Sequence, residues 1–240
     1  MNARRARRGW AGRSPPTILY LHGLASSPRG RKREMLERLF EKEGIEVVAP
    51  DLNVPSFRKL DFSEMVIVAR AAFDRAEPRV IVGSSLGALV ALSFAESSSS
   101  SFSSSPSLIL IAPALGFGER WKEKLPDAEE FDLFHHGEGK AMPIHRRFFE
   151  EMALVRVDAA PPPVAVSIVM GTNDESVPFA QVRDAWKRWE ASGRLVSGSR
   201  FHAVDGGDHG LVEFGDRIEA AVRERLTGQA ALAPFRPTVR

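Results

Sequence analysis

The 240-residue chain contains no cysteine. That excludes a disulfide framework, a thiolate metal site and a cysteine nucleophile, and it leaves the redox compartment unconstrained. Long apolar runs are also lacking. None approaches the roughly 18 residues that would span a bilayer, and the start has no apolar core of about 7 to 15 residues such as a secretory signal carries. The expectation is a soluble, cytoplasmic protein with no membrane span. No acidic residue precedes Glu34, whereas Arg4, Arg5, Arg7, Arg8 and Arg13 crowd the first residues. Residues 1–16 therefore read as a disordered, solvated basic arm. Because the whole chain carries a formal net charge of only +2, nucleic acid is not the expected partner. His202 and the histidines His135, His136 and His145 show no ligand spacing, so neither a metal nor a cofactor is expected.

What is present fits one globular domain that buries its own core: 43% of the residues are hydrophobic and 27% charged. Six short apolar runs, around Ile18, Val47, Ile81, Ile109, Ile168 and Ala203, read as strands. Amphipathic stretches at residues 30–42, 62–75, 179–191 and 211–226, and a small-residue run from Leu86 to Glu96, read as helices. This alternation predicts an α/β fold, a mostly parallel six-stranded sheet with helices on both faces. The domain is expected over 17–227. Within it, a tract of eight serines in the nine residues from Ser97 to Ser105 reads as a flexible surface loop. The aromatic-rich insert at about 114–162 reads as a small helical cap. Residues 228–240 read as a loose tail.

One stretch organises the rest. A β-branched strand runs into Gly83-Ser84-Ser85-Leu86-Gly87 and turns directly into a helix. This is the pattern of a nucleophile elbow, in which the serine sits on a strained turn with Oγ above the sheet, and Gly83 and Gly87 fit where side chains would crowd. The helix start aims its dipole at the reaction centre and frees the Leu86 N–H for a developing oxyanion. Leu24, after the first strand, is the expected second donor. If the strands are parallel, Ser85, Asp174 and His209 all follow strand C-terminal ends, in the order Ser, Asp, His. A serine hydroxyl needs a base, imidazole suits that task, and a carboxylate fixes the ring's tautomer.

Alternatives stay open at this point. Asp174 also suits a cap of the helix that begins near Pro178, Asp205 is a second choice of acid, and Asp208 is badly placed because it adjoins His209. His22 belongs to a His-Gly turn and has a structural reading. Arg146 and Arg147 read as a solvated face rather than as a seat for an anionic substrate, and the insert's aromatics as its own small core.

The run Leu21-His22-Gly23-Leu24-Ala25-Ser26-Ser27-Pro28, the elbow, Asp174 in a Gly-x-x-Asp-x-x-Val-Pro context and Asp208-His209 together resemble the α/β-hydrolase superfamily over roughly residues 17–226. The opening motif is similar to that of the small YqiA-like esterases of bacteria. The resemblance implies strands ordered second, first, third, fourth, fifth, sixth, with the superfamily's two leading strands missing. It also implies a cofactor-free serine hydrolase that cleaves a small carboxylic ester or thioester through an acyl-enzyme, its partner being a small-molecule acyl substrate. The alternative is a non-catalytic ligand-binding or scaffold protein on the same fold. Ala88 departs from the further glycine of many members, and an insert shorter than that of the lipases disfavours long-chain lipids.

Overall fold

A strand with helices on both faces has no wet side, so its sequence is apolar throughout rather than alternately. The computed structural model, which describes residues 15–98, 106–122 and 124–227, shows this directly. The basic arm up to Arg13, most of the serine tract and the C-terminal tail lie outside the described residues. In chain order the first elements are β1 (Thr17–Leu21), α1 (Arg31–Phe40), β2 (Glu46–Val48), a minimal hairpin of β3 (Pro55–Ser56) and β4 (Lys59–Leu60), and α2 (Phe62–Ala76). There follow β5 (Val80–Ser84), α3 (Leu86–Ser98), β6 (Ser107–Ile111), α4 (Phe117–Lys122), β7 (Glu130–His135), β8 (Lys140–His145) and α5 (Arg146–Met152). The last are β9 (Val166–Gly171), α6 (Phe179–Ala191), β10 (Arg200–Val204) and α7 (Gly215–Thr227). Every residue of β5 and β9 is buried.

The main sheet runs β2-β1-β5-β6-β9-β10, and every neighbouring pair is parallel. That is the order the resemblance implies. From β1 the chain steps one way to β2, then crosses back to β5 on the other side of β1. With right-handed crossovers this reversal sends α1 to the face opposite α2 and α3. Accordingly α1 packs with α7, and α2 with α3. The loops after β1 and β5 diverge at the reversal and leave a crevice at the strands' C-terminal edge, where ligand sites of open α/β sheets lie.

Two elements differ from the expectation. The last helix starts at Gly215 rather than at 211, because Leu211 adopts a left-handed conformation with φ 51° and is followed by a single 3-10 turn over Val212–Phe214. The insert has short helices, α4 and α5, but between them lies the antiparallel hairpin β7–β8, so it is mixed rather than wholly helical. Its sequence explains this: Glu130-Phe131-Asp132-Leu133 alternates polar and apolar, and Gly139 supplies a left-handed turn at φ 67°. The insert's aromatics form a core of their own. Phe117 stacks on Phe149 at 5.9 Å, and Trp121, Phe131 and Phe148 surround the same ring at 4.4, 5.5 and 5.3 Å.

The helix α2 begins with a side-chain cap: Asp61 Oδ1 accepts from the N–H groups of Ser63 and Glu64 at 2.8 and 3.1 Å. Replacement by alanine leaves both donors to water. Asp61→Ala is expected to lower stability by about 1 kcal/mol, read as a lower urea midpoint with an unchanged slope.

Candidate active site

Ser85 follows β5 directly and carries φ 54°, a left-handed conformation that side chains rarely adopt. The turn is held from both ends: Ser85 N–H donates to Ile111 O at 2.9 Å, and Ser85 O accepts from Ala88 and Ala114 N–H at 3.1 and 3.2 Å. Its two glycines have no room for a side chain. A Cβ on Gly83 would lie 2.6 Å from Gly87 O, and one on Gly87 would run into Leu21 O and lie 2.6 Å from His22 O. The helix α3 thus lies against the end of β1. Gly23, which sequence reasoning gave no role beyond the turn, is packed close as well, though less tightly, since a Cβ there would come within 3.1 Å of Ser85 Cβ. The loop carrying Leu24 therefore runs alongside the serine. Among the described residues, neither the Leu24 nor the Leu86 N–H makes a hydrogen bond.

The structure brings Asp174 and His209 together. His209 Nδ1 lies 2.8 Å from Asp174 Oδ2, with the histidine side chain 28% exposed and the carboxylate fully buried. The other carboxylate oxygen accepts from the N–H groups of Ser176 and Val177 at 2.9 and 2.8 Å. Asp174 does not cap α6, whose N-cap is Pro178 with no side-chain cap bond; one carboxylate oxygen ties down its own turn, and the other addresses the imidazole. The two loops are also stitched through their backbones, Asn173 N–H donating to Gly207 O at 2.9 Å. Asp205 instead accepts from Thr172 Oγ1, and Asp208 from the Leu211 N–H two residues beyond His209. With a carboxylate on Nδ1, that nitrogen carries the proton and Nε2 keeps its lone pair.

His22 is a joint of the fold. It is buried, its Nε2 accepts from Leu52 N–H at 2.9 Å, and its Nδ1 donates to Gly23 O at 2.9 Å. His202 lies on β10 away from the other histidines, and burial lowers its pKa. Burial likewise lowers that of His135 in the hairpin. Arg146 and Arg147 pair with Glu150 and Glu151 one turn along α5, as a solvated face does. Among the described residues, no group of His, Asp and Glu side chains clusters as metal ligands, and no helix is long and apolar enough to cross a membrane. Two cations that the sequence did not single out stand near the pair. Lys32 Nζ donates to His209 O at 3.3 Å, and Arg120 of α4 donates to Leu115 O and to Gln181 Oε1.

A family model described as "Uncharacterised protein family (UPF0227)" matches residues 17–223, from β1 into α7. The chain belongs to this family. The UPF0227 match spans all the motifs that carry the YqiA-like resemblance. No curated protein matches the chain. Among solved structures, Est1E from Butyrivibrio proteoclasticus, with ferulic acid bound, is similar over 90% of each chain, with a TM-score of 0.71 and 17% identity. Alpha/beta hydrolase domain-containing protein 10 from mouse is similar over 90% of this chain and 91% of its own, with a TM-score of 0.68 and 20% identity. A monoacylglycerol lipase from Paleococcus ferrophilus covers 90% and 96%, with a TM-score of 0.65 and 17% identity. These likenesses give this UPF0227 member the α/β-hydrolase fold.

The packing of Gly87 yields a test that needs no substrate. In Gly87→Ala the new methyl cannot coexist with Leu21 O, so α3 must shift off β1. A loss of about 1 to 3 kcal/mol is expected, seen as a lower denaturation midpoint.

Proposed function

We propose that this chain is a serine hydrolase that cleaves a small carboxylic ester or thioester through an acyl-enzyme. The observation that carries the reading is the Asp174–His209 pair at 2.8 Å, on the same sheet edge as a left-handed Ser85 between two glycines that admit no side chain. In the first half-reaction Ser85 Oγ attacks the acyl carbon while its proton passes to His209 Nε2. Asp174 holds the ring with Nε2 free and stabilises the imidazolium. The unpartnered N–H groups of Leu24 and Leu86 are suited to receive the oxyanion. As the intermediate collapses, His209 returns the proton to the leaving group, and the acyl chain stays on Ser85. Water then attacks the acyl-enzyme, gives its proton to His209, and the acid leaves as Ser85 recovers its hydrogen.

Intact-protein mass spectrometry after exposure to an uncharged fluorophosphonate tests this without a choice of substrate. One adduct is expected on the wild type and none on Ser85→Ala. No adduct on the folded wild type would sink the proposal and favour a ligand-binding protein on this fold. Asp174→Asn keeps the oxygen that receives Ser176 and Val177 but presents the wrong partner to His209. It is expected to slow ester turnover on the order of 10³- to 10⁴-fold, less than the loss in Ser85→Ala.

A further inference from the structure

The run Leu24-Ala25-Ser26-Ser27-Pro28 carries much of the family resemblance, yet the reaction as written uses only its first N–H. The structure occupies the rest of it. Of the five carbonyls from Gly23 to Ser27, four accept hydrogen bonds, each from a different part of the chain. Gly23 O accepts from His22 Nδ1 at 2.9 Å, and Ala25 O from the His136 N–H at the tip of the β7–β8 hairpin at 2.7 Å. Ser26 O accepts from Asn53 Nδ2 in the loop after β2 at 3.0 Å, and Ser27 O from the Gly30 N–H at the start of α1 at 3.1 Å. Loop carbonyls can be satisfied by water alone; these are tied to the protein instead.

The ties bracket a strained residue. Ala25 is buried at φ 54°, a conformation that a side chain keeps only where its surroundings hold it. The Gly23–Leu24 peptide is planar, so the Leu24 N–H turns with Gly23 O on one side and follows the Ala25 backbone on the other. The two groups that hold Ala25 and Ser26 are themselves fixed. The Asn53 side chain arrives oriented, because its N–H and Nδ2 both donate to Asp51 Oδ1 at 2.9 Å. At the hairpin tip the buried His135 accepts from the Glu138 N–H at 3.1 Å and packs edge-on against Phe57. Gly137 has no positive φ and could carry a side chain, but a Cβ there would lie 2.8 Å from Ser27 Cβ and 2.9 Å from Ser27 Oγ. Ser27 has little slack, since its Oγ accepts from the Arg29 N–H at 3.3 Å.

We infer that Asn53 and the hairpin tip at His136 and Gly137 are positioning groups for the Leu24 N–H, acting through the carbonyls of Ala25 and Ser26 and the side chain of Ser27. The inference rests on the hydrolase reading for what that N–H receives, but not for the clamp. Two variants loosen the clamp without touching Ser85, Asp174 or His209. Asn53→Leu keeps the side chain's bulk and lacks the donor, and Gly137→Ala pushes a methyl against Ser27. The readout is the rate at which an uncharged fluorophosphonate forms its adduct on Ser85, compared with its P=S counterpart. The phosphoryl oxygen takes the place of the oxyanion, whereas sulfur is a weak acceptor and gains little from a well-placed donor. In both variants the phosphoryl reagent is expected to slow by about tenfold or more, the scale of a misplaced oxyanion donor. The P=S reagent should slow less, so that the ratio of the two rates shrinks.

Rates unmoved in both variants would overturn the inference. So would an equal fall for the two reagents, which would leave Asn53 and the hairpin tip as ties of the fold and nothing more. If the wild type takes no adduct, the hydrolase reading fails, and amide hydrogen exchange over residues 21–28 reads the clamp alone. Faster exchange there in Asn53→Leu and Gly137→Ala, with β9 unchanged, sustains the clamp, and exchange equal to that of the wild type removes it.

Discussion

The structure depends on a single close approach, that of the α3 backbone at Gly87 to the carbonyls of Leu21 and His22 at the end of β1. No side chain fits between them. Because the contact is backbone on backbone, it fixes the elbow to β1 with little freedom to adjust, and interiors packed to this density transmit small displacements instead of absorbing them. The same contact brings the Leu24 loop beside Ser85. Placement of the serine and placement of its neighbouring donors are therefore one structural event, with one strand, one turn and one helix taking part.

Backbone strain is distributed with the same bias. Among the described residues, five non-glycine residues have positive φ: Ala25, Glu77, Ser85, Ala112 and Leu211. Glu77 ends α2, while the other four follow β1, β5, β6 and β10 at the sheet's C-terminal edge. Each costs about 1 to 3 kcal/mol and persists only where surrounding structure holds it. The buried strands β1, β5, β6 and β9 provide that hold, with almost every side chain out of water. Strain lies where the chain must expose chemical groups, and unstrained packing lies beneath it.

Much of this was legible in the sequence, and the reasons are physical. Fully buried parallel strands are short apolar runs, so all six could be placed. Chain order and the reversal at β1 then put the loops bearing Leu24, Ser85, Asp174 and His209 on one edge. Asp174 and Asp205 could not be separated from composition alone, because both lie in polar turns after strands; only the fold decides which carboxylate reaches an imidazole. The hairpin β7–β8 was hidden in a stretch whose aromatics suit a helix face as well as a strand. Lys32 and Arg120 gave no signal, since a lysine in a run of arginines and an arginine on a short helix look solvated until the fold brings them near Asp174. Arg146 and Arg147, the pair that stood out in the sequence, prove to be neutralised within α5.

The hairpin is fastened at both ends. At its tip the His136 N–H donates to Ala25 O at 2.7 Å, next to Leu24, and at its base the His145 N–H donates to Arg58 O at 2.9 Å in the small hairpin after β2. Arg58 also pairs with Glu130, and Phe57 meets the ring of His135 at 4.6 Å. An insert stapled to the very loop that flanks the serine cannot swing as a door without deforming that loop. The hairpin and the Leu24 loop then move together, so displacing the insert also displaces the backbone that runs beside Ser85.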